Sequence, residues 1–424
     1  MIIPLRYNLR SLFVRRATTA ATAIGIALVV FVLSSALMLS EGVRRTLGSA
    51  GKADVAIVLR KGSSAELESG VEDPQVALVK AMPGVRRAGA EPAGSGEVVV
   101  VIALEKLGAS GVTNVGVRGV LEAAFTLRPD VRVVAGRRAA PGADEAMVGI
   151  RLRGRMKGLD LGQSFELKKN RPVQVVGVFD DGGSAHESEV WVDREVLRSS
   201  FGREGSVSSV RVRLDSPASF EAFRANVEQD KRLGLMAQRE TAYYEKQSEG
   251  TSLFISVLGS LVAFFFSLGA MIGAMNTMYA SIANRQREIG TMRALGFSRT
   301  SILFCFLVEA VLLSLAGGAL GAVLSLAMGS VRFSMINFAS FSEVVFRFEP
   351  TPQILAVSLV VSMAMGVLGG FLPAVRAART SPLAAMRGWV VPPGGITAEA
   401  RTSRLFRASA SAAPRSPTAS PSRP

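Results

Sequence analysis

The residue types that could carry out catalysis or bind a metal gather around the only histidine of the chain. His186 stands in the segment Asp180-Asp-Gly-Gly-Ser-Ala-His-Glu-Ser-Glu189, which offers carboxylates and hydroxyls beside an imidazole. A hydrolase or a metal site would use such groups. A metal ion, however, needs three or four ligands held in fixed directions, and neighbouring side chains of a glycine-rich loop diverge. We therefore expect a solvated hairpin loop, with Asp180 and Asp181 as turn formers, no catalytic residue and no metal ligand.

A second charged segment, Asn284-Arg-Gln-Arg-Glu-Ile-Gly-Thr-Met-Arg-Ala-Leu-Gly-Phe-Ser-Arg299, connects two long apolar runs. Its apolar residues fall on neighbouring helical positions and its arginines on others: Ile289, Met292 and Leu295 against Arg285, Arg287 and Arg293. This spacing predicts a brief amphipathic helix that offers an apolar knob to a soluble partner. Gly296 is well placed to end the helix.

A nucleotide-binding loop is not apparent in the sequence. The only Gly-Lys pair, Gly51-Lys52, lacks both the upstream glycine and the following hydroxyl of the G-x-x-x-x-G-K-[ST] phosphate cradle. We expect a chain that is not itself an enzyme and binds no cofactor. The absence of any Ser/His/Asp or Cys/His arrangement at useful spacing also argues against a membrane enzyme with an outer catalytic site.

Four apolar runs must position these segments. The chain has 424 residues, of which 49% are hydrophobic, and the long apolar runs lie at 17–40, 251–282, 301–328 and 354–375. Each reaches the ~20 residues that a helix needs to cross hydrocarbon. The first run exceeds the ~7–15 apolar residues of a cleaved secretory signal, so we expect a retained anchor. The predicted fold class is an α-helical membrane protein with four transmembrane helices and an extracytoplasmic mixed α/β domain between the first and second spans.

The arginines indicate the orientation. They cluster before the first run, between the second and third, and after the fourth: Arg6, Arg10, Arg15 and Arg16; Arg285, Arg287, Arg293 and Arg299; Arg376, Arg379 and Arg387. Positive residues stay on the cytoplasmic side. Both termini and 283–300 are therefore predicted to be cytoplasmic, with 41–250 and the short loop 329–353 outside. The net charge of +15 then faces the lipid bilayer, and no nucleic acid partner is expected.

The outer segment 41–250 has short β-branched runs that predict strands. These are Glu97–Ile102, Arg132–Val134, Val173–Phe179, Glu189–Val192 and Val210–Leu214. Helical spacing appears at 194–201 and 219–229, and 241–251 suits a helical stalk that continues into the second span. The single cysteine, Cys305, lies in an apolar run, so no disulfide can form within the chain.

The remaining segments flank the spans. Residues 1–16 have the spacing of an amphipathic helix at the inner interface. Residues 376–391 are predicted to form a cytoplasmic C-terminal segment. The tail 392–424 is basic and rich in Pro, Ser and Ala, a composition that predicts disorder.

Polar and small residues mark the spans themselves. Asn276 lies about nine residues before Arg285, and Glu309 lies about ten residues after Arg299, so the two side chains are at similar depth in the membrane. At this depth they could form a hydrogen bond with each other. Our hypothesis is that Glu309 bridges helices near the charged connection; the alternative is a protonated or water-facing carboxyl with no special role. Three G-x-x-x-G pairs predict close helix packing: Gly269 and Gly273, Gly317 and Gly321, and Gly366 and Gly370.

Several segments together resemble the type VII ABC transporter permeases, the group that includes the macrolide exporter MacB, the lipoprotein-release permeases and the cell-division protein FtsX. In the membrane-associated part they are Leu9-Arg-Ser-Leu, Ile24-Gly-Ile26, Arg287-Glu-Ile-Gly290, Arg293-Ala-Leu-Gly296, Gly318-Ala-Leu-Gly321 and Leu372-Pro-Ala-Val-Arg-Ala-Ala-Arg-Thr-Ser-Pro-Leu-Ala-Ala-Met-Arg387. In the outer domain they are Glu145-Ala-Met-Val-Gly149, Gly158-Leu-Asp-Leu-Gly162 and Val175-Val-Gly-Val-Phe-Asp180.

This resemblance implies a permease subunit in a bacterial inner membrane whose coupling helix contacts a separate cytoplasmic ATPase, which would hold the ATP and Mg. The residues implied in that contact are Arg287, Glu288, Gly290, Arg293 and Gly296. It also implies a second permease copy, as a homodimer or heterodimer, and allows a membrane-fusion adaptor. ATP hydrolysis would drive export or extraction of a substrate on the outer side, and the cargo stays open. The alternative is an FtsX-like regulator that activates a cell-wall hydrolase without transport.

Overall fold

The fold is known from a computed structural model that describes residues 16–89, 91–108, 110–337 and 340–380. The predicted amphipathic helix at 1–16 lies outside the described residues except for its last position. Most of the predicted C-terminal segment 376–391 and all of the tail 392–424 also lie outside them.

Four long apolar helices dominate the described chain, and five shorter ones accompany them. In chain order these are α1 Arg16–Gly48, α2 Asp73–Lys80, α3 Glu122–Leu127, α4 Arg194–Phe201, α5 Phe220–Gln229, α6 Glu240–Asn284, α7 Gln286–Ala294, α8 Arg299–Leu326 and α9 Pro352–Arg379. Helices α1, α6, α8 and α9 are long and apolar enough to cross a membrane. Helix α1 continues eight residues beyond the predicted span end at Ser40, and α6 joins the predicted stalk and second span in one rod.

Local sequence fixes where the long helices begin. Thr351 caps α9 by accepting a hydrogen bond from the backbone N–H of Ile354 at 3.3 Å, and Pro352 occupies the first helical position, where its missing N–H costs nothing. Ser298 caps α8 in the same way through the N–H of Ser301 at 3.1 Å. These caps separate the helices sharply from the connections that precede them.

The outer domain is built on a mixed sheet. The strands in chain order are β1 Val55–Arg60, β2 Val71–Glu72, β3 Arg87–Ala88, β4 Glu91–Pro92, β5 Gly94–Glu105, β6 Val112–Val120, β7 Arg132–Gly136, β8 Glu145–Gly149, β9 Ser164–Lys168, β10 Arg171–Asp180, β11 Glu189–Asp193, β12 Ser206–Val207, β13 Ser209–Arg213, β14 Leu235–Arg239, β15 Arg332–Ile336 and β16 Glu343–Arg347. The main sheet has the order β14-β1-β13-β5-β6-β11-β8-β10-β7, and β9 also pairs with β10. Pairs β6/β11 and β8/β10 are parallel.

The core of this domain lies where the short helices cover the sheet. Val98, Val117, Val148 and Val210 from four strands are fully buried, and Phe223 of α5 packs into the same cluster. Four of the five predicted strands fall within β5, β7, β10 and β11, and the fifth extends one residue beyond the end of β13. The predicted helix 194–201 coincides with α4, and the predicted helix 219–229 begins one residue before α5.

The predicted short outer loop 329–353 is an ordered structure. Strands β15 and β16 pair antiparallel as a hairpin between α8 and α9, with Phe333 opposite Phe346. The hairpin is placed against α1, because Glu349 donates its backbone N–H to the carbonyl of Met38 at 3.0 Å. The connection between the third and fourth long helices therefore contacts both the first helix and the outer domain.

Small residues bring the long helices together. A Cβ at Gly317 would meet the carbonyl oxygen of Ala23 at 2.6 Å, and one at Gly321 would clash with that of Ala27, so α8 lies against α1 with backbone nearly touching backbone. Gly366 and Gly370 of α9 pack in the same way on α8. Such spacing lets helices gain dispersion contacts that larger residues would prevent.

The pair Gly269 and Gly273 does not follow this pattern. No described atom lies within 4 Å of a Cβ built at either position. Both residues line an apolar groove between α1 and α6 together with Phe265 and Phe266. Packing at this pair is therefore not made within the described part of the chain.

This contrast gives a matched stability test. We expect Gly321→Ala to lower the free energy of unfolding by about 1–3 kcal/mol, because its methyl group must push α1 away. Gly269→Ala should be neutral or slightly stabilising, since alanine has the higher helix propensity and meets open space. Thermal unfolding of the detergent-solubilised variants measures both changes. Equal melting temperatures for the two variants would contradict the packing described.

Candidate functional site

The charged connection between α6 and α8 forms the short helix α7 and ends in a tight turn. Gly296 has φ of +94°, a conformation that side-chain-bearing residues rarely adopt. The N–H of Phe297 donates to the carbonyl of Met292 at 3.1 Å and the N–H of Gly296 to that of Arg293 at 3.2 Å. This pair of bonds is a Schellman motif, which satisfies the last carbonyls of the helix.

The expected apolar knob is different in the structure. Ile289 is fully buried and packs with Ile282, Ile302 and Phe306, so its side chain faces the helix bundle. Met292 is half-buried against the same cluster, whereas Leu295 is 71% exposed. The amphipathic helix forms as predicted, but Ile289 and Met292 do not contribute to a knob for a partner, because α7 lies on the bundle with its apolar side. Leu295 is the large apolar side chain that α7 and its turn leave exposed.

The residues implied in ATPase contact divide in the same way. Arg287, Glu288 and Gly296 are exposed. Gly290 is buried beside the bundle, and Arg293 is half-buried, with Nη1 donating to the carbonyl of Phe297 at 3.1 Å. Gly290 and Arg293 thus shape α7 and its turn, while the other three remain accessible to a partner.

Glu309 is paired across the helix bundle. It is 4% exposed, and Nη1 of Arg285, which stands between α6 and α7, donates to its two carboxylate oxygens at 3.0 and 3.3 Å. Asn276, the other residue considered as its partner, is exposed. Within the described chain Glu309 therefore joins α8 to the start of α7 through Arg285 and not through Asn276.

A group of buried charges that the sequence did not reveal lies at the other end of α6. We call it the junction cluster; its members are Glu66, Glu97, Arg118, Arg128, Glu189, Arg211 and Glu240. They come from the 3₁₀ turn Glu66–Glu68, strands β5, β6, β11 and β13, the loop after α3, and the first residue of α6. The sequence signal is weak, since charges stand alone in apolar strands whose two faces are both buried.

Arg211 is the centre of the junction cluster. Its Nη1 lies 2.8 Å from both Glu66 and Glu97, and its Nε lies 2.8 Å from Glu240. Arg211 is fully buried and Glu240 is 1% exposed. Glu240 also accepts the backbone N–H of Lys52 at 3.0 Å, which ties α6 to the segment after α1. One guanidinium thus connects the sheet with the stalk helix.

The neighbouring guanidiniums complete the cluster and set its protonation. Arg118 bridges Glu66, Glu97 and Glu189, and Arg128 makes a bidentate pair with Glu97 at 2.7 and 2.9 Å. Burial alone would raise the pKa of Glu97, but the attraction of Arg128, Arg211 and Arg118 outweighs it and lowers the pKa to about 2. Glu97 is therefore ionised throughout the physiological pH range.

His186 lies beside this cluster and is buried, so the prediction of a solvated loop was wrong, whereas Asp180 does form a turn by accepting the N–H of Gly182 at 3.0 Å. It belongs to the 3₁₀ turn Ala185–Ser188 and is fully buried. Its Nδ1 lies 2.8 Å from Asp181 and its Nε2 lies 3.1 Å from the hydroxyl of Tyr244, to which Arg211 donates at 3.3 Å. The turn is buried because α6 and the hairpin both cover it. An adjacent cavity of about 40 Å³ is too small for a substrate.

The hairpin is a second attachment between the long helices and the outer domain. Glu343 of β16 lies 2.9 Å from Lys106 and 2.8 Å from Arg155, and it accepts a hydrogen bond from Thr113 at 2.6 Å. Burial raises the pKa of Glu343, but hydrogen bonds from Lys106, Thr113 and Ser334 outweigh burial and lower the pKa to about 2. Arg151 of the outer domain also donates to the backbone carbonyl of Val345. The hairpin is thus held by charged side chains of the domain.

Comparisons with known proteins agree with this architecture. A family model described as the MacB-like periplasmic core domain matches residues 18–230, about half of the chain. A second, described as the FtsX-like permease C-terminal domain, matches residues 260–382. The two matches cover the outer domain with its first helix and the three later long helices.

Curated relatives include a macrolide export ATP-binding/permease protein MacB from Shigella boydii serotype 4. It is 31% identical over 227 residues, which are 51% of this chain and 34% of that protein. MacB from Escherichia coli strain K12 is 30% identical over the same length. The chain thus matches about a third of the length of these relatives.

Solved structures include the periplasmic region of MacB from Actinobacillus actinomycetemcomitans, with a TM-score of 0.34 and 9% identity over 46% of this chain and 92% of that one. The extracellular domain of the transporter YknZ from Gram-positive bacteria has a TM-score of 0.32 and 16% identity over 43% and 99%.

The junction cluster predicts a specific acid response. The pKa of Glu97 is lower in the folded state than its ordinary value of 4.5, so the unfolded chain binds the proton first and stability falls as pH drops from about 4.5 to about 2. Glu97→Gln should cost about 3 kcal/mol at pH 7, because it removes the carboxylate that pairs with buried Arg128 and one of the carboxylates shared by Arg118 and Arg211. It should also show a shallower loss of stability on acidification.

Melting temperatures between pH 2 and 7 measure both effects, with Glu91→Gln, at an exposed position, as the control. If wild type and Glu97→Gln lose stability over this range with the same slope, the assigned ionisation of Glu97 is incorrect.

The Arg285–Glu309 pair predicts coupling between two substitutions. Glu309→Gln and Arg285→Gln should each destabilise the chain by about 3 kcal/mol, since each removes a close charged partner of a buried group. The double variant should lose less than the sum, because the interaction between the two side chains is then lost only once. Chemical or thermal unfolding in detergent gives the three values. Strict additivity would show that the two side chains do not interact.

Proposed function

Because the chain belongs to the type VII ABC transporter permease family, with a MacB-like periplasmic core domain and an FtsX-like permease domain, we propose that it couples ATP hydrolysis by a separate cytoplasmic ATPase to movement of its outer domain. That movement drives export or extraction of a substrate on the outer side of a bacterial inner membrane. The observation that carries this proposal is the single helix α6, which runs without interruption from the junction cluster to α7. Its 45 residues correspond to a rod of roughly 68 Å.

The accessible side of α7 is the surface we assign to the ATPase. Arg287 and Glu288 present opposite charges there, and Leu295 adds an apolar contact at the turn. A short helix with a charged face and one protruding apolar residue suits a cleft in a soluble partner. ATP and Mg are bound by that partner.

Force on α7 is transmitted into the bundle because α7 is fixed to it. The Arg285–Glu309 pair joins its start to α8, and buried Ile289 holds its inner face. A displacement of α7 therefore moves α6 and α8 together. At the other end, α6 pulls on the sheet through Glu240 and Arg211, and α8 pulls through the hairpin and Glu343.

The assembly follows from charge and exposure. We assign the arginine-rich connection and both termini to the cytoplasm, because positive residues prefer that side of the membrane. Large apolar side chains of α6 remain exposed along its apolar stretch, among them Phe254, Val257, Leu261 and Phe265. We assign this face to lipid and to a second permease copy. A membrane-fusion adaptor would then dock on the paired outer domains.

Co-purification tests the coupling surface. The tagged full chain is extracted from membranes and the recovered complex is assayed for ATPase activity. Glu288→Lys should reduce both the amount of ATPase subunit recovered and its activity by about tenfold. The reason is that a positive side chain, which the partner surface would repel, replaces a carboxylate that this surface attracts. The control is Glu204→Lys, an equally exposed carboxylate in the outer domain, which should have no effect.

Three results would contradict the proposal. They are recovery of no ATPase with the wild type, equal recovery with both variants, and recovery of a peptidoglycan hydrolase in place of transport partners. Recovery of a peptidoglycan hydrolase would instead favour the alternative function, an FtsX-like regulator that activates a cell-wall hydrolase without transport.

A further inference from the structure

A cavity of about 1180 Å³ lies where the outer ends of the long helices meet the outer domain. Its walls include residues 41–49 of α1 and 245–252 of α6, the two ends of the hairpin, and residues 180–187 of the outer domain. The helical walls begin directly where the apolar stretches of α1 and α6 end. These helical walls extend roughly 12 Å beyond the ends of the apolar stretches. This length exceeds the ~5–8 Å thickness of the headgroup layer of one leaflet. The cavity is therefore at the level of lipid headgroups.

Two arginines of the hairpin face this cavity without a hydrogen-bond or ion-pair partner in the described part of the chain. Arg332 and Arg347 are directly opposite each other across the strands β15 and β16, and both are exposed. No hydrogen bond or ion pair joins either side chain to another described residue. Like charges in directly opposed strand positions repel and destabilise the pairing. The hairpin keeps this arrangement, so two guanidiniums converge on one side of the cavity.

Two glutamates of α6 face the same cavity. Glu245 and Glu249 are four residues apart, so their side chains share one face of the helix, and both are exposed. Like charges at this spacing also destabilise a helix. Among the described residues neither carboxylate makes an ion pair with Arg332 or Arg347, so the cavity keeps the two pairs apart.

The other charged side chains of the cavity are mostly neutralised. Glu41 pairs with Arg44 and Arg45, Arg45 also reaches Glu349, and Arg151 pairs with Glu187. Asp180 also lines the cavity; its Oδ1 accepts the backbone N–H of Gly182 at 3.0 Å, which occupies it locally. Apart from this carboxylate, what remains for a ligand is a pair of positive groups on the hairpin and a pair of negative groups on α6. A simple anion would be attracted to Arg332 and Arg347. It would be repelled by Glu245 and Glu249.

We propose that this cavity binds the zwitterionic headgroup of an outer-leaflet phospholipid of the phosphoethanolamine type. The phosphate lies against Arg332 and Arg347, whose guanidiniums match phosphate geometry. The ammonium lies against Glu245 and Glu249. The position of the cavity at the headgroup level selects a lipid over a soluble phosphate ester. This site needs only a membrane-embedded chain, so it does not depend on ATP-driven export.

Native mass spectrometry of the delipidated full chain tests the site, with phosphatidylethanolamine or phosphatidylglycerol added at equal concentrations. Wild type should retain more phosphatidylethanolamine. The double substitution Arg332→Gln with Arg347→Gln should reduce retention of both lipids by roughly tenfold, since it removes charge-assisted hydrogen bonds to phosphate. Glu245→Gln with Glu249→Gln should reduce only phosphatidylethanolamine. Arg232→Gln, at an exposed position in the outer domain, is the matched control and should change neither.

A competition experiment on the wild type tests the proposed headgroup site without depending on how the variants fold. Soluble glycerophosphoethanolamine should displace the bound lipid, and inorganic phosphate at the same concentration should not. Displacement by inorganic phosphate alone would identify a free anion site and overturn the proposal. Preference for phosphatidylglycerol, or retention of phosphatidylethanolamine unchanged in both double variants, would overturn it as well.

Discussion

The contact between Arg211 and Glu240 is the constraint on which the arrangement of the two halves of the molecule depends. Both side chains are buried, and the guanidinium is shared with Glu66 and Glu97. Charges removed from water are stable only when all of them are paired. The first turn of α6 therefore cannot leave the sheet without exposing or isolating several charges at once. The stalk helix and the sheet behave as one body at this point.

One attachment would still allow the outer domain to pivot on α6. The hairpin prevents this, because Glu343 binds Lys106 and Arg155 on a different part of the domain and the hairpin itself continues into α8 and α9. Because the two attachments lie at separate places on the outer domain, the domain cannot turn about one of them without straining the other. A tilt of the helix bundle would then be passed to the outer domain as a rotation, as the proposed coupling requires.

Much of this architecture could be predicted from the sequence and some of it could not. Long apolar runs and β-branched runs identify helices and strands locally, so α8, α9, β10 and β13 were found. The burial of His186 was not, because it results from α6 and the hairpin folding over a loop that is locally polar. Ile289 was correctly placed on an apolar helix face, but amphipathicity alone does not tell which neighbour that face contacts. Arg211 was hidden because a lone inward charge looks like any strand charge until its partners are known.

The chemistry of the junction cluster also suits the role of a joint. Apolar surfaces of similar volume would often be at least as stabilising as buried ion pairs, yet they resist sliding poorly because dispersion contacts have little directional preference. The bidentate contact between Arg128 and Glu97 and the three-way contact of Arg211 each fix an angle as well as a distance. A joint that transmits the rotation of a long rod must keep its angle under force. We infer that the buried charges are retained for this orientation, and that any gain in stability is secondary.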